Sequence, residues 1–448
     1  MTLADASRAL RNREISCLEL TEQCLATIAR LNPDLNAFVT VTAESARLRA
    51  KALDAELLSG HDRGPLHGIP IAHKDLIDTS GVRTTSGSRL FANYVPVRDA
   101  AVVQRLDEAG TVCVGKTGLH ELAYGVTSEN PHFGVIRNPY DRERTPGGSS
   151  GGAGVALATG MCLLATGTDT GGSIRIPASY CGVGGLKPTY GTVDRTGVRP
   201  LGLTLDHVGP MAADVRGLLP MLDAMAPQRR RIPIPQRIRI GIPSNYYFER
   251  VDPEIQAAVQ TSARSLTASV ISVEVPDIEA LNAAARAILL AEATAVYERY
   301  LDRREDFGAD VLALLDQGRL LPAATYVNAQ RLRHFYAAEF RKLFDTIDCL
   351  VTPTTPIAAP KIGEREISIG GVREDTRLAT TRFMRGINAL GFPAISVPCG
   401  HTASGLPIGM QLITRPYEDD LAMHLACQTA KSRATGEFGD VAQGQVGS

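Results

Sequence analysis

Gly147-Gly148-Ser149-Ser150-Gly151-Gly152 is followed by Gly167-Thr168-Asp169-Thr170-Gly171-Gly172-Ser173-Ile174-Arg175. These are two glycine-dense loops, each carrying serine, with Ser173 standing 173 − 149 = 24 residues after Ser149. Glycine has no Cβ to penalise positive φ, so such loops can crowd backbone N–H groups around one point. A serine there can be presented as a nucleophile, with amides beside it to hold a developing oxyanion. The first loop leads into a small-residue helical stretch, Ala153 to Gly160, and Cys162 to Ala165 reads as a strand entering the second loop. That alternation predicts an α/β fold. Neither loop contains a histidine to act as base.

The same alternation extends outward. Residues 1–65 read as N-terminal helices: Ser16 caps Cys17-Leu18-Glu19-Leu20, with Leu18, Cys24, Ile28 and Leu31 at helical spacing, and Ala43 to Leu58 forms a second helix. At Leu66-His67-Gly68-Ile69-Pro70-Ile71-Ala72-His73-Lys74-Asp75 a short buried strand is expected, with a lysine near its end. Ala100 to Ala109 is a helix, Thr111 to Val114 a strand and Leu119 to Tyr124 a helical turn. Gln228-Arg229-Arg230-Arg231-Ile232-Pro233-Ile234-Pro235 reads as a surface connection with solvated arginines. Beyond it come a strand at Arg237 to Ile242, a helix at Pro253 to Ala268 and long helical patterns over 278–345. Asp348 to Thr352 and Ala394 to Pro398 are apolar strands, and a last helix begins near Asp419.

Composition narrows the function classes. The chain has 448 residues, 44% of them hydrophobic, enough for a large core. Its length alone allows about three domains, but one continuous sheet can absorb them all. Net charge is −1 and there is no tryptophan, so neither a basic field nor stacking surfaces favour nucleic acid. No C-x-x-C pair occurs among the eight cysteines, which read as free thiols of a reducing compartment. No apolar run reaches the ~18 residues of a membrane span, and the amino terminus has no signal-peptide pattern. A soluble, cytoplasmic protein is therefore expected.

Two motifs are set aside. Gly110-Thr111-Val112-Cys113-Val114-Gly115-Lys116-Thr117 matches a phosphate-binding loop letter by letter, but a helix precedes it and its middle reads as a strand. Gly147-x-Ser149-x-Gly151 matches a nucleophile elbow, which would need a histidine base and leaves the second loop unexplained. The nine histidines include no ligand-spaced cluster, so no metal and no cofactor is expected.

From Gly147 through Ser173-Ile174-Arg175-Ile176-Pro177-Ala178 to Gly185-Leu186-Lys187-Pro188-Thr189, the chain resembles the amidase signature family of serine hydrolases. The likeness extends over nearly the whole chain, including Gly68-Ile69-Pro70 with Lys74-Asp75, Thr352-Pro353-Thr354 and Gly405-Leu406-Pro407-Ile408-Gly409-Met410-Gln411. It implies a single large α/β domain, residues 1–448, with a central mixed sheet flanked by helices. Within it, 66–225 would be the catalytic core, 226–237 the surface connection and 238–448 the part shaping the substrate pocket. It also implies a Ser–Ser–Lys triad: Lys74 as base, Ser149 as bridging serine and Ser173 as nucleophile. Backbone N–H groups of Thr170, Gly171, Gly172 and Ser173 would form the oxyanion hole. The backbone at Ala123, Tyr124 and Gly125 would lie against the substrate amide.

The residue types suit that chemistry. Amide cleavage needs a strong nucleophile, oxyanion stabilisation and a proton for the departing nitrogen. Lysine replaces histidine as base only when neutral. Bringing its pKa from about 10.4 to 7 requires a shift of roughly 3 units, about 4 kcal/mol, which burial can supply. Ile69-Pro70-Ile71-Ala72 before Lys74 is apolar enough for that. Ser150, Asp169 and Arg175 read as structural, the last two bracing the loop.

Within the family, much of the chain is similar to one branch, the glutaminase component of glutamine-dependent tRNA amidotransferases. That branch carries an arginine for the glutamine carboxylate and an aspartate for its amino group. The matching positions here hold Leu314, after Phe307-Gly308-Ala309-Asp310-Val311, and Thr381. A stand-alone amidohydrolase acting on a small-molecule amide is therefore favoured over that glutaminase, with no nucleic-acid or membrane partner. A homodimer is one expected assembly. Arg382 and Arg385, in the C-terminal part, are read as surface charges, with contact to an acidic substrate as the alternative.

Overall fold

The computed structural model describes residues 1–433. The end of the expected substrate-shaping part, 434–448, lies outside the described residues. Eleven strands form one sheet: β1 Phe38–Val41, β2 Pro70–Lys74, β3 Val112–Thr117, β4 Leu164–Asp169, β5 Gly184–Lys187, β6 His207–Ala212, β7 Arg239–Pro243, β8 Ser269–Val273, β9 Cys349–Pro353, β10 Ala394–His401 and β11 Pro407–Thr414. Their order is β1-β3-β2-β4-β6-β5-β10-β11-β9-β7-β8. The neighbours β3, β2 and β4 run parallel, as do β9, β7 and β8. The central pairings from β4 through β6, β5, β10 and β11 to β9 are antiparallel. The fold is thus a single α/β domain built on a mixed sheet flanked by helices, as the sequence led us to expect.

Burial explains the strand composition. Every residue of β2, β4, β6, β9 and β11 is buried, so these strands read as continuous apolar or small-residue runs rather than alternations. Helices cover the sheet: Ala43–Leu58 packs on β3, and Asp419–Arg433 on β10 and β11. Their starts are written locally. Ser16 accepts the Glu19 N–H while the Glu19 side chain returns to the Ser16 N–H, closing a capping box on Cys17–Leu35. Asp252 caps the helix Pro253–Arg264, whose first residue is proline. Among the described residues, no helix is long and apolar enough to cross a membrane.

Some expectations are revised. The first 65 residues also contain a strand, β1, which pairs with β3 at the sheet edge. β3 runs on through Gly115-Lys116-Thr117, so the apparent phosphate loop is sheet. Lys116 is fully buried there, donating to Ile77 O at 2.6 Å and Thr84 Oγ1 at 2.7 Å. The connection 226–237 holds no helix or strand, but Arg229 is not a solvated charge. Its side chain is buried between Asp223 and Asp420, anchoring the connection to the last helix. β8 escaped sequence reading because four of its five residues are exposed, so no buried pattern marks it.

Candidate active site

Parallel pairing sets the base in place. Lys74 ends β2 beside Thr117 of β3, and its neighbour His73 pairs with Thr166 of β4. The carboxyl ends of three parallel strands therefore converge, the place where α/β sheets present ligand sites. Thr168 and Asp169 end β4 at this edge, and the loop carrying Ser173 follows directly. Ser149 and Ser150 immediately precede the helix Gly151–Ala158. That helix can seat against the edge only because residue 152 is glycine. A Cβ there would stand 2.4 Å from Ala37 O and 2.6 Å from Gly118 N and O.

Lys74 is fully buried. Its Nζ contacts three hydroxyls: Ser149 Oγ at 2.7 Å, Ser150 Oγ at 2.9 Å and Thr168 Oγ1 at 2.9 Å. Burial lowers its pKa to about 7, against the weaker opposing pull of Asp169 and Asp206. A neutral amine has two N–H donors and one lone pair, so one of the three hydroxyls must donate to it. Ser150 is already directed elsewhere, its Oγ donating to Thr168 O at 3.3 Å. Ser149 and Thr168 remain able to give Lys74 a proton. Ser150 also ties the two loops together, its N–H donating to Ser173 O at 3.1 Å. The Gly148–Ser149 peptide is cis.

Ser173 is 6% exposed, whereas Ser149 and Lys74 are fully covered. Of the three expected triad members, the nucleophile candidate is thus the one that retains some exposure. Asp169 shapes the surrounding loop. It accepts from the N–H of Gly172 at 2.8 Å and of Ile174 at 3.1 Å, and from Arg175 Nε at 3.0 Å and Nη2 at 2.9 Å. Arg175 is itself fully buried and bonds Asn388 Oδ1 and Gln411 Oε1, both at 2.6 Å. Burial alone would raise the Asp169 pKa, but the charge and hydrogen bonds of Arg175 hold it well below the usual carboxylate range. The bracing role expected for Asp169 and Arg175 is what these contacts describe.

The four amides expected around the oxyanion do not stand alike. The Gly172 N–H is engaged by Asp169, which removes it from the expected set in this conformation. Among the described residues, the N–H groups of Thr170, Gly171 and Ser173 have no acceptor. Gly172 serves the loop differently, with a φ of +121° that a side chain would strain.

The expected substrate contacts divide likewise. Leu122 and Ala123 both adopt left-handed backbone, with φ of 51° and 60°, a strain that clusters at functional sites. Ala123 lines a cavity of about 200 Å³ with Thr168, Thr170, Asp206 and His207. Tyr124 lines a second, of about 250 Å³, with Arg286, Asp310, Leu314, Arg377 and Arg385. Gly125 lines neither; the His120 ring occupies the space a side chain would need. Arg382 and Arg385 are not surface charges: each is over nine-tenths buried. Arg382 pairs with Glu374 at 2.7 Å. Sequence reasoning missed Thr168 as a lysine partner, Asn388 as part of the loop brace, and Arg286 and Arg377 at the second cavity. Thr168 could have been suspected from its place one residue before Asp169; the others are scattered along the chain and left no local signal.

Comparison with known proteins adds to this geometry. The family model described as Amidase matches residues 19–423. The chain is 37% identical to the GatA-type component of the glutamyl-tRNA(Gln) amidotransferase of Symbiobacterium thermophilum, covering 95% of each. It is 38% identical to AtzE, a component of the 1-carboxybiuret hydrolase of Pseudomonas sp. strain ADP, over 94% of this chain and 96% of that one. A solved chain from a vestigial protein complex bearing on the origins of an s-triazine catabolic enzyme superposes with a TM-score of 0.92. It is 36% identical and covers 97% of this chain and 99% of its own.

Proposed function

The chain belongs to the amidase family and is an amide-hydrolysing enzyme; we propose that it cleaves a small-molecule amide to a carboxylate and ammonia or an amine through an acyl-enzyme on Ser173. The observation that carries this reading is Lys74: a fully buried lysine with a pKa lowered to about 7, 2.7 Å from a serine hydroxyl. In this mechanism Ser173 Oγ attacks the amide carbon, its proton passes to Ser149 Oγ, and Ser149 gives its own to neutral Lys74. The N–H groups of Thr170, Gly171 and Ser173 receive the oxyanion. Collapse expels the nitrogen, which takes the proton back through Ser149. Water then attacks the ester by the same relay, releasing the carboxylate and regenerating Ser173.

The test is covalent and kinetic. A fluorophosphonate probe should label Ser173, and ammonia release from a panel of monoamides should vanish in Ser173→Ala. Labelling elsewhere, or turnover persisting in that variant, would sink the assignment.

The competing reading, the glutaminase of a tRNA-dependent amidotransferase, draws support from the 37% identical relative of that kind. Against it, the positions matching the glutamine-binding arginine and aspartate hold Leu314 and Thr381. Leu314 lines the second cavity, and Thr381 Oγ1 accepts from Arg385 at 2.7 Å. Efficient ammonia release from glutamine, absent for simple monoamides, would establish the competing reading. Both relatives are named as components of larger enzymes, so sizing the purified protein decides between a homodimer and a chain awaiting a partner.

A further inference from the structure

Among the described residues, Arg385 is a buried cation with no carboxylate partner. It opens the helix Arg385–Leu390, its Nη2 donates to the Thr381 hydroxyl at 2.7 Å, and its Nε has no partner. Burial and the charges of Arg377 and Arg286 push its pKa down to about 10. Those two arginines line the same cavity of about 250 Å³. Arg377 donates to Tyr124 O at 3.4 Å, and Arg286 to Gln317 Oε1 at 3.2 Å. The acids of this cavity are already engaged. Asp310 Oδ2 bonds His120 Nε2 at 2.9 Å, and Asp375 accepts the Leu378 N–H at 2.8 Å to cap the helix Thr376–Thr381.

The cavity also borders the nucleophile loop. A Cβ built on Gly171 would meet Arg385 Cγ at 4.0 Å, and Asn388, on the same helix, donates to Asp169 O at 2.9 Å. A buried guanidinium facing two like charges is costly unless an anion joins it. Carboxylate oxygens match its planar donors, which makes such pairs strong and directional. A substrate ammonium would meet three arginines, with only Asp310 and Asp375, each already holding a donor, to offset them.

We propose that Arg385, with Arg377 and Arg286, receives a carboxylate carried by the substrate, so that the preferred substrates are amides bearing an anion and no ammonium, such as monoamides of dicarboxylic acids. This rests on Ser173 being the nucleophile, and binding can be measured apart from turnover. Ser173→Ala protein is titrated by calorimetry with malonamate, succinamate, glutaramate and adipamate, and with the corresponding neutral diamides. At least one monoamide should bind ten times more tightly than its diamide. Adding Arg385→Gln should weaken that monoamide by roughly 10- to 100-fold, the loss expected for a charge-assisted contact, and erase its advantage over the diamide. No preference for any monoamide, or a preference unchanged by Arg385→Gln, overturns the proposal. Circular dichroism checks folding; should Arg385→Gln not fold, Arg286→Gln is read by the same criterion. If Ser173→Ala binds a monoamide tightly but the wild type hydrolyses no amide, the reaction assignment fails and the carboxylate site stands. If the wild type hydrolyses neutral and anionic amides with equal KM, the site fails and the reaction stands.

Discussion

At the scale of single residues the decisive group is Lys74. Its lowered pKa means that kcat/KM for a neutral amide should rise with pH, bend near 7 and level off above, as the neutral amine becomes populated. A pH–rate profile flat from 5 to 9 would contradict a lysine base. The same shift acts on stability. The unfolded lysine keeps its ordinary, higher pKa, so between about pH 7 and 10 the unfolded chain binds the extra proton and the contribution of this lysine to stability rises with pH. Lys187 is also fully buried and its pKa is likewise lowered to about 7, so it adds to that slope. Denaturant titrations of Lys74→Met across this window should show a shallower slope, with Lys187 among the groups supplying the remainder. The two neighbouring serines separate by their bonds. Ser149→Ala should cost about 10³-fold or more in kcat, as loss of a general acid–base group does. Ser150→Ala should cost far less, because its hydroxyl proton is directed at Thr168 O.

Elements bring these side chains together, and their fit can be tested. The helix Gly151–Ala158 touches backbone at residue 152, where no flexible side chain can move aside. Gly152→Ala should therefore destabilise by about 1–3 kcal/mol and, by displacing Ser149, lower kcat as well; thermal melts and initial rates read the two effects. The β4 loop depends on Asp169. Asp169→Ala strands the buried Arg175, a loss of about 3–5 kcal/mol. It also releases the Gly172 N–H, so its melting temperature and kcat should fall together. Helices at this scale were legible because their caps are local: Ser16 with Glu19, and Asp252 before Pro253, are written within four residues. β8 left no comparable trace because four of its five residues are exposed, whereas the pairing of Glu366–Ile369 with Val372–Asp375 is written locally, an alternating Glu-Ile-Ser-Ile run ahead of Gly370-Gly371.

For the whole molecule, one sheet runs through both halves of the chain. β10, from the second half, pairs with β5, from the first, and both sides of the 226–237 connection contribute strands to the same surface. Scanning calorimetry should therefore show one cooperative transition. A fragment ending at residue 226 should not fold, since β5 would lose its β10 partner and expose an apolar edge. A fragment with native-like circular dichroism and its own sharp melt would refute that.

The sequence by itself determined the α/β class and most helices, and it pointed to Lys74, Ser149 and Ser173 as the positions proposed to carry the chemistry. Loop glycines, caps and apolar runs act over a few residues, and a long specific signature sits in contiguous chain. The tertiary structure alone decided which groups meet. Strand register carried Lys74 to Thr168, and the pairing of Asp169 with Gly172 withdrew one expected amide. Packing turned Arg385 from a presumed surface charge into a buried one. Asp169 and Asn388 are 219 residues apart yet bond directly. Such contacts depend on how the sheet is ordered, and no local pattern of residues records that order.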